Sequence, residues 1–90
     1  MNKSELVTAI SHQTASSKSQ VEIWLDATLN IIQKTVSEGE DVKLVGFGSF
    51  QKARRRAKTG RNPKTGETHQ IPETSVPRFK PGKDFKDRVK

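Results

Sequence analysis

Val45-Gly46-Phe47-Gly48-Ser49-Phe50 is the stretch on which the fold turns. Two glycines bracket one phenylalanine, and a second phenylalanine follows closely. Glycine reaches backbone angles that other residues avoid. Gly46-Phe47-Gly48 therefore predicts a tight turn, with a strand on either side. The strand before it is Asp41 to Val45, weakly alternating and rich in valine. The strand after it opens at Phe50 and runs on into a basic stretch.

Upstream of this turn the pattern is helical. Asn2 with Glu5 has the spacing of a capping box, which starts a helix at Lys3. Leu6, Val7 and Ile10 give it an apolar side, and it is expected to end near Thr14. Ser17 with Gln20 starts a second helix at Lys18. Val21, Trp24, Leu25, Leu29, Ile32 and Val36 recur on it at the helical period. Ile23, Ala27 and Ile31 widen that stripe beyond what one short helix can cover. Gly39 is the expected stop.

Downstream, Gly60 to Gly66 reads as a turn-rich tip with Pro63 and Gly66 as breakers. A returning strand runs from Ile71 to Phe79. Pro72 and Pro77 interrupt it, which places it at an edge or gives it bulges. After Pro81-Gly82 a short helix is expected to reach the C-terminus, anchored by Phe85 and Val89. The order α-α-β-β-β-α predicts an α+β fold with a long hairpin between its last two strands.

Charge and apolar residues divide the chain in opposite senses. The 90 residues hold 17 Lys+Arg and 10 Asp+Glu, a formal net charge of +7, with a pI near 10.1. Residues 1–45 contain 4 basic and 6 acidic side chains; residues 46–90 contain 13 and 4. Of 27 apolar residues, 20 lie in 1–50 and only three (Ala53, Ala57 and Ile71) in 51–75. The second region cannot line a core, so it reads as an arm or a loop. One part packs and another meets a polyanion. Apolar residues and glycine together are 33 of the 90 residues, about 37%. A typical globular chain has roughly 45–50%, glycine included. A partner subunit is the expected remedy.

Other classes are disfavoured. Without cysteine there is no disulfide, thiol nucleophile or cysteine-based zinc site. No apolar run reaches the roughly 18 residues of a membrane span, and Met1-Asn2-Lys3-Ser4-Glu5 lacks the apolar segment of a signal peptide. A cytoplasmic protein is expected. His12 and His69 are the only histidines. No metal triad, Ser-His-Asp set or phosphate-cradling glycine loop is recognisable, so neither an enzyme nor a cofactor is expected.

The motif with the most chemistry is Lys52 to Lys64. It holds Lys52, Arg54, Arg55, Arg56, Lys58, Arg61 and Lys64 with no acid among them. Such a run is either a solvated loop or a polyanion contact. A two-stranded ribbon fits a DNA groove, and arginine favours a narrow minor groove. Gly60-Arg61-Asn62-Pro63-Lys64-Thr65-Gly66 is either an ordinary turn or a tip on which Pro63 wedges into a base step. The phenylalanines Phe47, Phe50 and Phe79 could stack on bases or pack in a core; their place beside the glycine turns favours the core. Lys83, Lys86 and Lys90 form one stripe of the last helix, with Arg78 and Lys80 close in sequence. Lys3 and Lys18 lie at helix N-termini, where a cation is unfavourable; each serves either a phosphate or a carboxylate such as Asp26.

Taken together, Val45 to Phe50, Gly60 to Gly66, and Val76-Pro77-Arg78-Phe79-Lys80-Pro81-Gly82-Lys83 resemble the bacterial histone-like HU proteins, whose superfamily includes integration host factor. The resemblance covers the whole chain. It implies an intertwined homodimer with a helical base, a three-stranded antiparallel sheet extended into a β-ribbon arm, and a short C-terminal helix. Residues 1–50 would form the base and dimer core, 51–75 a flexible arm, and 76–90 the return strand and last helix. Leu29, Ile32, Leu44, Phe47, Phe50 and Phe79 would lie in the dimer core.

The resemblance further implies a nucleoid-associated protein that bends and compacts double-stranded DNA. Pro63 matches the intercalating proline, and this class is itself the standard example of minor-groove wedging. Arg61, Asn62 and Lys64 would flank the wedge, with Arg55 and Lys58 further down the arm. Lys3, Lys52, Arg54, Arg56, Lys80, Lys83 and Lys86 complete the expected contact set. Ala53 departs from the pattern, since relatives often carry a cation there. Alternation sends Arg54 and Arg56 to the face opposite Arg55. Lys58 lacks the planar fork of arginine. A sequence-selective bender, an RNA-binding basic protein and a heterodimer with a paralogue are the alternatives.

Overall fold

Asn2 starts the first helix as its spacing with Glu5 predicts. Its Oδ1 accepts the Glu5 backbone N–H at 2.9 Å, satisfying a donor that a helix start leaves unpaired. The computed structural model describes residues 1–55, 58–61, 66, 68–71 and 73–90, with backbone alone at 58, 59, 61 and 68–71. Helix α1 is Lys3–Thr14 and closes on Ala15, which takes the left-handed conformation at φ 55°. Helix α2 is Lys18–Ser37. Ser17 Oγ accepts the Gln20 N–H at 3.2 Å, as expected of the second cap. At the other end, Gly39 has φ 92°. There Glu40 N–H donates to the Thr35 carbonyl and Gly39 N–H to that of Val36. That pair of bonds is a Schellman motif, the stop that a glycine after the helix favours.

Among the described residues five strands follow: β1 Val42–Leu44, β2 Gly48–Arg55, β3 Lys58–Arg61, β4 Thr68–Ile71 and β5 Thr74–Pro81, then helix α3 Lys83–Val89. The sheet β1-β2-β5 is antiparallel throughout, with β2 central. A separate antiparallel pair joins β3 to β4, from Lys58 opposite Ile71 to Arg61 opposite Thr68. The fold is α+β, with three helices and a three-stranded antiparallel sheet as expected.

Two details differ from the sequence expectation, and the place of Pro77 agrees with it. Strand β2 begins at Gly48, not Phe50, because the turn closes earlier. Phe47 N–H donates to the Leu44 carbonyl at 3.0 Å. Gly46, third of those four residues, has φ 83°, the value a type II turn requires at that place. The expected single return strand is met by two, β4 ending at Ile71 and β5 beginning at Thr74, with Glu73 in neither; Pro72 lies outside the described residues. Pro77 falls within β5, an edge strand, where proline is tolerated.

The chain divides into two compact units, Met1–Lys34 and Thr35–Lys90. In the first, Val7 and Val21 are buried. Trp24, on the apolar stripe of α2, is 52% exposed, and Ile23 and Ile31 are more so. In the second, four phenylalanines gather. The Phe50 and Phe79 rings are 4.9 Å apart, Phe47 and Phe79 5.3 Å, and Phe47 and Phe85 5.4 Å, all tilted. Such pairs are worth roughly 0.5–1.5 kcal/mol each beyond the area they bury. Helix α3 is thus anchored by Phe85. Val89, the other expected anchor, is 72% exposed on the last turn.

Candidate nucleic-acid interface

Residues opposed in an antiparallel ladder share a face, and successive residues alternate between faces. The register therefore sorts the side chains of the three-stranded sheet. One face carries Val42, Phe50 and Phe79 in a row, then Lys52 opposite Pro77 and Arg54 opposite Ser75. The other carries Lys43, Ser49 and Lys80 in a row, then Gln51 opposite Arg78, Ala53 opposite Val76, and Arg55 opposite Thr74. The first face is apolar at the sheet and cationic towards the ribbon. The second has four cations and no acid.

The cations of the two faces differ in their commitments. Lys52 Nζ donates to the Ser37 carbonyl at 3.3 Å. Arg54 Nε forms an ion pair with Glu73. Lys43, Arg55, Arg78 and Lys80 are exposed. None of these four side chains has a hydrogen bond or ion pair among the described residues. A shallow groove of about 310 Å³ is lined by Lys43, Ser49 and Lys80 together with Val45, Gly46 and Gly82.

The remaining candidates are distributed over the other elements. Lys83 and Lys86 are exposed on α3, where Lys90 Nζ lies 3.7 Å from Asp87. Lys58 and Arg61 are the two ends of β3, so Arg61 is the last ladder residue before the tip. Arg56, Asn62, Pro63 and Lys64 lie outside the described residues. Of the expected dimer-core residues, Leu29, Leu44, Phe47 and Phe79 are exposed in the single chain, Leu29 and Phe47 by 43% each, while Ile32 and Phe50 are half-buried. Lys43 is absent from the residues singled out in the sequence, and Arg78 entered only as a neighbour of Lys80. The signal that finds them is the strand register, which depends on where β2 begins.

Lys3 meets the carboxylate that the sequence offered as one of two partners. Its ammonium bonds Asp26 across α1 and α2. That hydrogen bond and the Asp26 charge hold Lys3 above its ordinary value, with Glu22 adding a smaller push. A raised lysine stabilises the fold at pH below its unfolded pKa, roughly 10.4, and that contribution disappears as pH climbs through the folded value. Both side chains are about half exposed, so salt screens the pair. Asp26→Asn is expected to lower the Lys3 pKa in an NMR titration. Any stability difference from wild type should shrink in strong salt and vanish above the folded Lys3 pKa. An unchanged Lys3 titration would show that the pair does not persist in solution.

The arrangement defines a class: a basic α+β protein whose central sheet has one apolar and one cationic face, continued by a separate two-stranded ladder. The chain matches the family described as "Bacterial DNA-binding protein" over residues 1–90. DNA-binding protein HU of Clostridium pasteurianum is 45% identical over 89 residues, covering 99% of this chain and 98% of that protein. DNA-binding protein HU of a Nostoc species is 48% identical, covering 99% and 95%. Among solved structures, an Anabaena HU–DNA cocrystal structure matches with TM-score 0.90 at 48% identity, covering 99% of this chain and 97% of that one. HU from Thermotoga maritima matches with TM-score 0.73 at 33% identity over the full length of both. The chain belongs to the bacterial DNA-binding protein family, in its HU branch. The family and these relatives are named for binding DNA and not for a catalysed reaction. Among the described residues no helix is long and apolar enough to cross a membrane.

Proposed function

We propose that this chain is an architectural DNA-binding protein, acting as a homodimer that binds duplex DNA with little sequence preference and bends it. The single observation that carries the reading is the uncommitted cationic face of the β1-β2-β5 sheet, which leads at Arg55 towards the β3–β4 ladder. A polyanion is the ligand that such a face fits, and the full-length similarity to an HU protein crystallised with DNA selects which polyanion. Phosphate contacts carry no base pattern, which accounts for weak specificity. Arg55, Lys58, Arg61, Asn62 and Lys64 supply the arm contacts, with Pro63 as a minor-groove wedge. Arg56 continues that arm, and Lys80, Lys83 and Lys86 add cations at its base. In a cell this activity belongs on the chromosome.

The dimer rests on the open apolar surface of one chain. Only Val7, Val21 and Val36 are buried among the described apolar residues. Leu29, Leu44, Phe47 and Phe79 stay exposed, and a second copy would cover them. In this arrangement residues 1–50 form the base, 51–75 the arm and 76–90 the return strand and last helix.

Fluorescence anisotropy on a short duplex, titrated with NaCl, tests the reading. Affinity is expected to fall by roughly 10³–10⁵ between 50 and 200 mM salt if 6–10 phosphates are neutralised. Sedimentation equilibrium should give twice the chain mass. Enrichment of a defined motif in a site-selection experiment would instead make it a sequence-selective bender. Equal competition by RNA would move it to the RNA-binding class.

A further inference from the structure

Resting on the homodimer of the reading above, we propose that dimers associate further with one another through an outer ridge of helix α2. The ridge is Ile23, Ala27 and Ile31, with Trp24 beside it, and its occupant is the same ridge of a second copy.

Helix α2 carries two rows of residues spaced four apart. Lys18, Glu22 and Asp26 form the row that meets α1. Lys3 bonds Asp26 there, and Lys3, Ser4, Val7 and Thr8 of α1 line a groove of about 380 Å³ with Lys18 and Glu22. Ile23, Ala27 and Ile31 form the other row, about 140° further round the helix. Nothing in the Met1–Lys34 unit covers it: Ile23 is 63% exposed, Ile31 62%, and Ala27 is exposed between them. Buried Val21, and Leu29 and Ile32, which the homodimer would use, lie about 120–160° from Ala27. One partner surface cannot reach both sides, so the outer ridge is a separate contact.

The order of residues selects the occupant. Ala27 is the centre of the row, with an isoleucine four residues to either side. Two copies crossing antiparallel on a two-fold axis at Ala27 set each Ile23 against Ile31 of the other. In that register Trp24 meets Asn30 and Lys34 meets Gln20, so no like charges are opposed. A parallel pairing would set Lys34 against itself. A two-fold contact requires a self-complementary surface, and this row reads the same in both directions. The small side chain of Ala27 lets the backbones approach. Rows spaced four apart interdigitate at about 50°, the commonest crossing of helices in globular proteins. Three large, partly exposed side chains per copy bury less than the roughly 1,200 Å² of a stable complex. The association is therefore weak, and dimers held side by side on one duplex gain most from it, through their raised effective concentration.

Sedimentation equilibrium of the full-length protein without DNA, over a concentration series, tests the proposal. Wild type is expected at twice the chain mass when dilute and at four times that mass or more when concentrated. Trp24 is the only tryptophan and the chain has no tyrosine. Its emission should therefore move to shorter wavelength over the same range. Ile23→Lys and Ile31→Glu should each hold the protein at the dimer mass. Combining the two substitutions should restore association, because the antiparallel register sets each lysine against a glutamate, twice per contact. That recovery is a gain, so misfolding cannot imitate it, and salt should weaken it. A wild type that stays dimeric at every concentration overturns the proposal, as does a double variant that fails to recover. Single variants that fall to monomers would place the ridge inside the homodimer and overturn it too. A wild type monomeric throughout would remove the homodimer itself and this contact with it; DNA affinity, measured separately, is touched by none of these results.

Discussion

Gly48→Ala will melt well below wild type. A Cβ at this position would stand 2.5 Å from the Lys80 carbonyl oxygen and 2.7 Å from two ring carbons of Phe79. Neither neighbour can retreat cheaply. The carbonyl belongs to the β5 backbone, and Phe79 is held against Phe47, Phe50 and Phe85. Overpacking of this kind costs about 3 kcal/mol at the upper end of its usual range. For a domain of this size that is a fall in Tm of roughly 12–24 °C. Thermal unfolding at one fixed protein concentration is the measurement, because melting of an assembling protein depends on concentration. Gly60→Ala is the control, since nothing lies within 4 Å of its added carbon. If the two variants melt together, β5 does not approach β2 as closely in solution as it does here.

The second large effect is functional. Pro63→Ala is expected to abolish most of the DNA bending while leaving binding largely in place. Pro63 lies between Arg61, the end of β3, and Thr68, the start of β4. A rigid apolar ring at such a tip can enter a base step; unstacking costs a few kcal/mol, recovered from contacts that a bent duplex allows, and HU-class proteins are the standard example. Alanine offers no wedge. It also removes no charge, so the salt dependence of affinity should stay as in wild type. Energy transfer between dyes at the two ends of a short duplex reports the bend, and anisotropy on the same samples reports the binding. Equal bending by both proteins would leave the arm as an electrostatic clamp and move the cause of bending elsewhere.

The helices were legible because their boundaries are set locally. Asn2 and Ser17 each bond an N–H three residues on, and Gly39 completes its stop within five residues. Spacing alone contains that information. The sheet was legible in order but not in register. Gly48 pairs with both Leu44 and Pro81, and this double pairing, not any local propensity, decides where β2 begins.

The candidate site shows the same limit. Every cation is visible in the sequence, but its availability is not. Arg54 is engaged by Glu73, distant from it in sequence, and only the fold brings the two together. Lys43 was hidden for the complementary reason: it lies on a short strand far from the basic run and joins Lys80 only through Ser49. The open state of Trp24 and Val89 could not be read either, because an apolar side chain in a helix does not state what covers it.

The two-faced sheet has a consequence for how such a protein can change over time. A one-residue slip would exchange the faces, but the phenylalanine cluster and the tight fit at Gly48 bind the register to one choice. The charged positions are passengers on a frame fixed by the aromatic ones. Substitutions at the exposed positions 43, 55, 78 and 80 can then change the charge of that face while melting behaviour stays nearly constant. Affinity and stability are written in alternate letters of the same strands, so each can drift without spoiling the other.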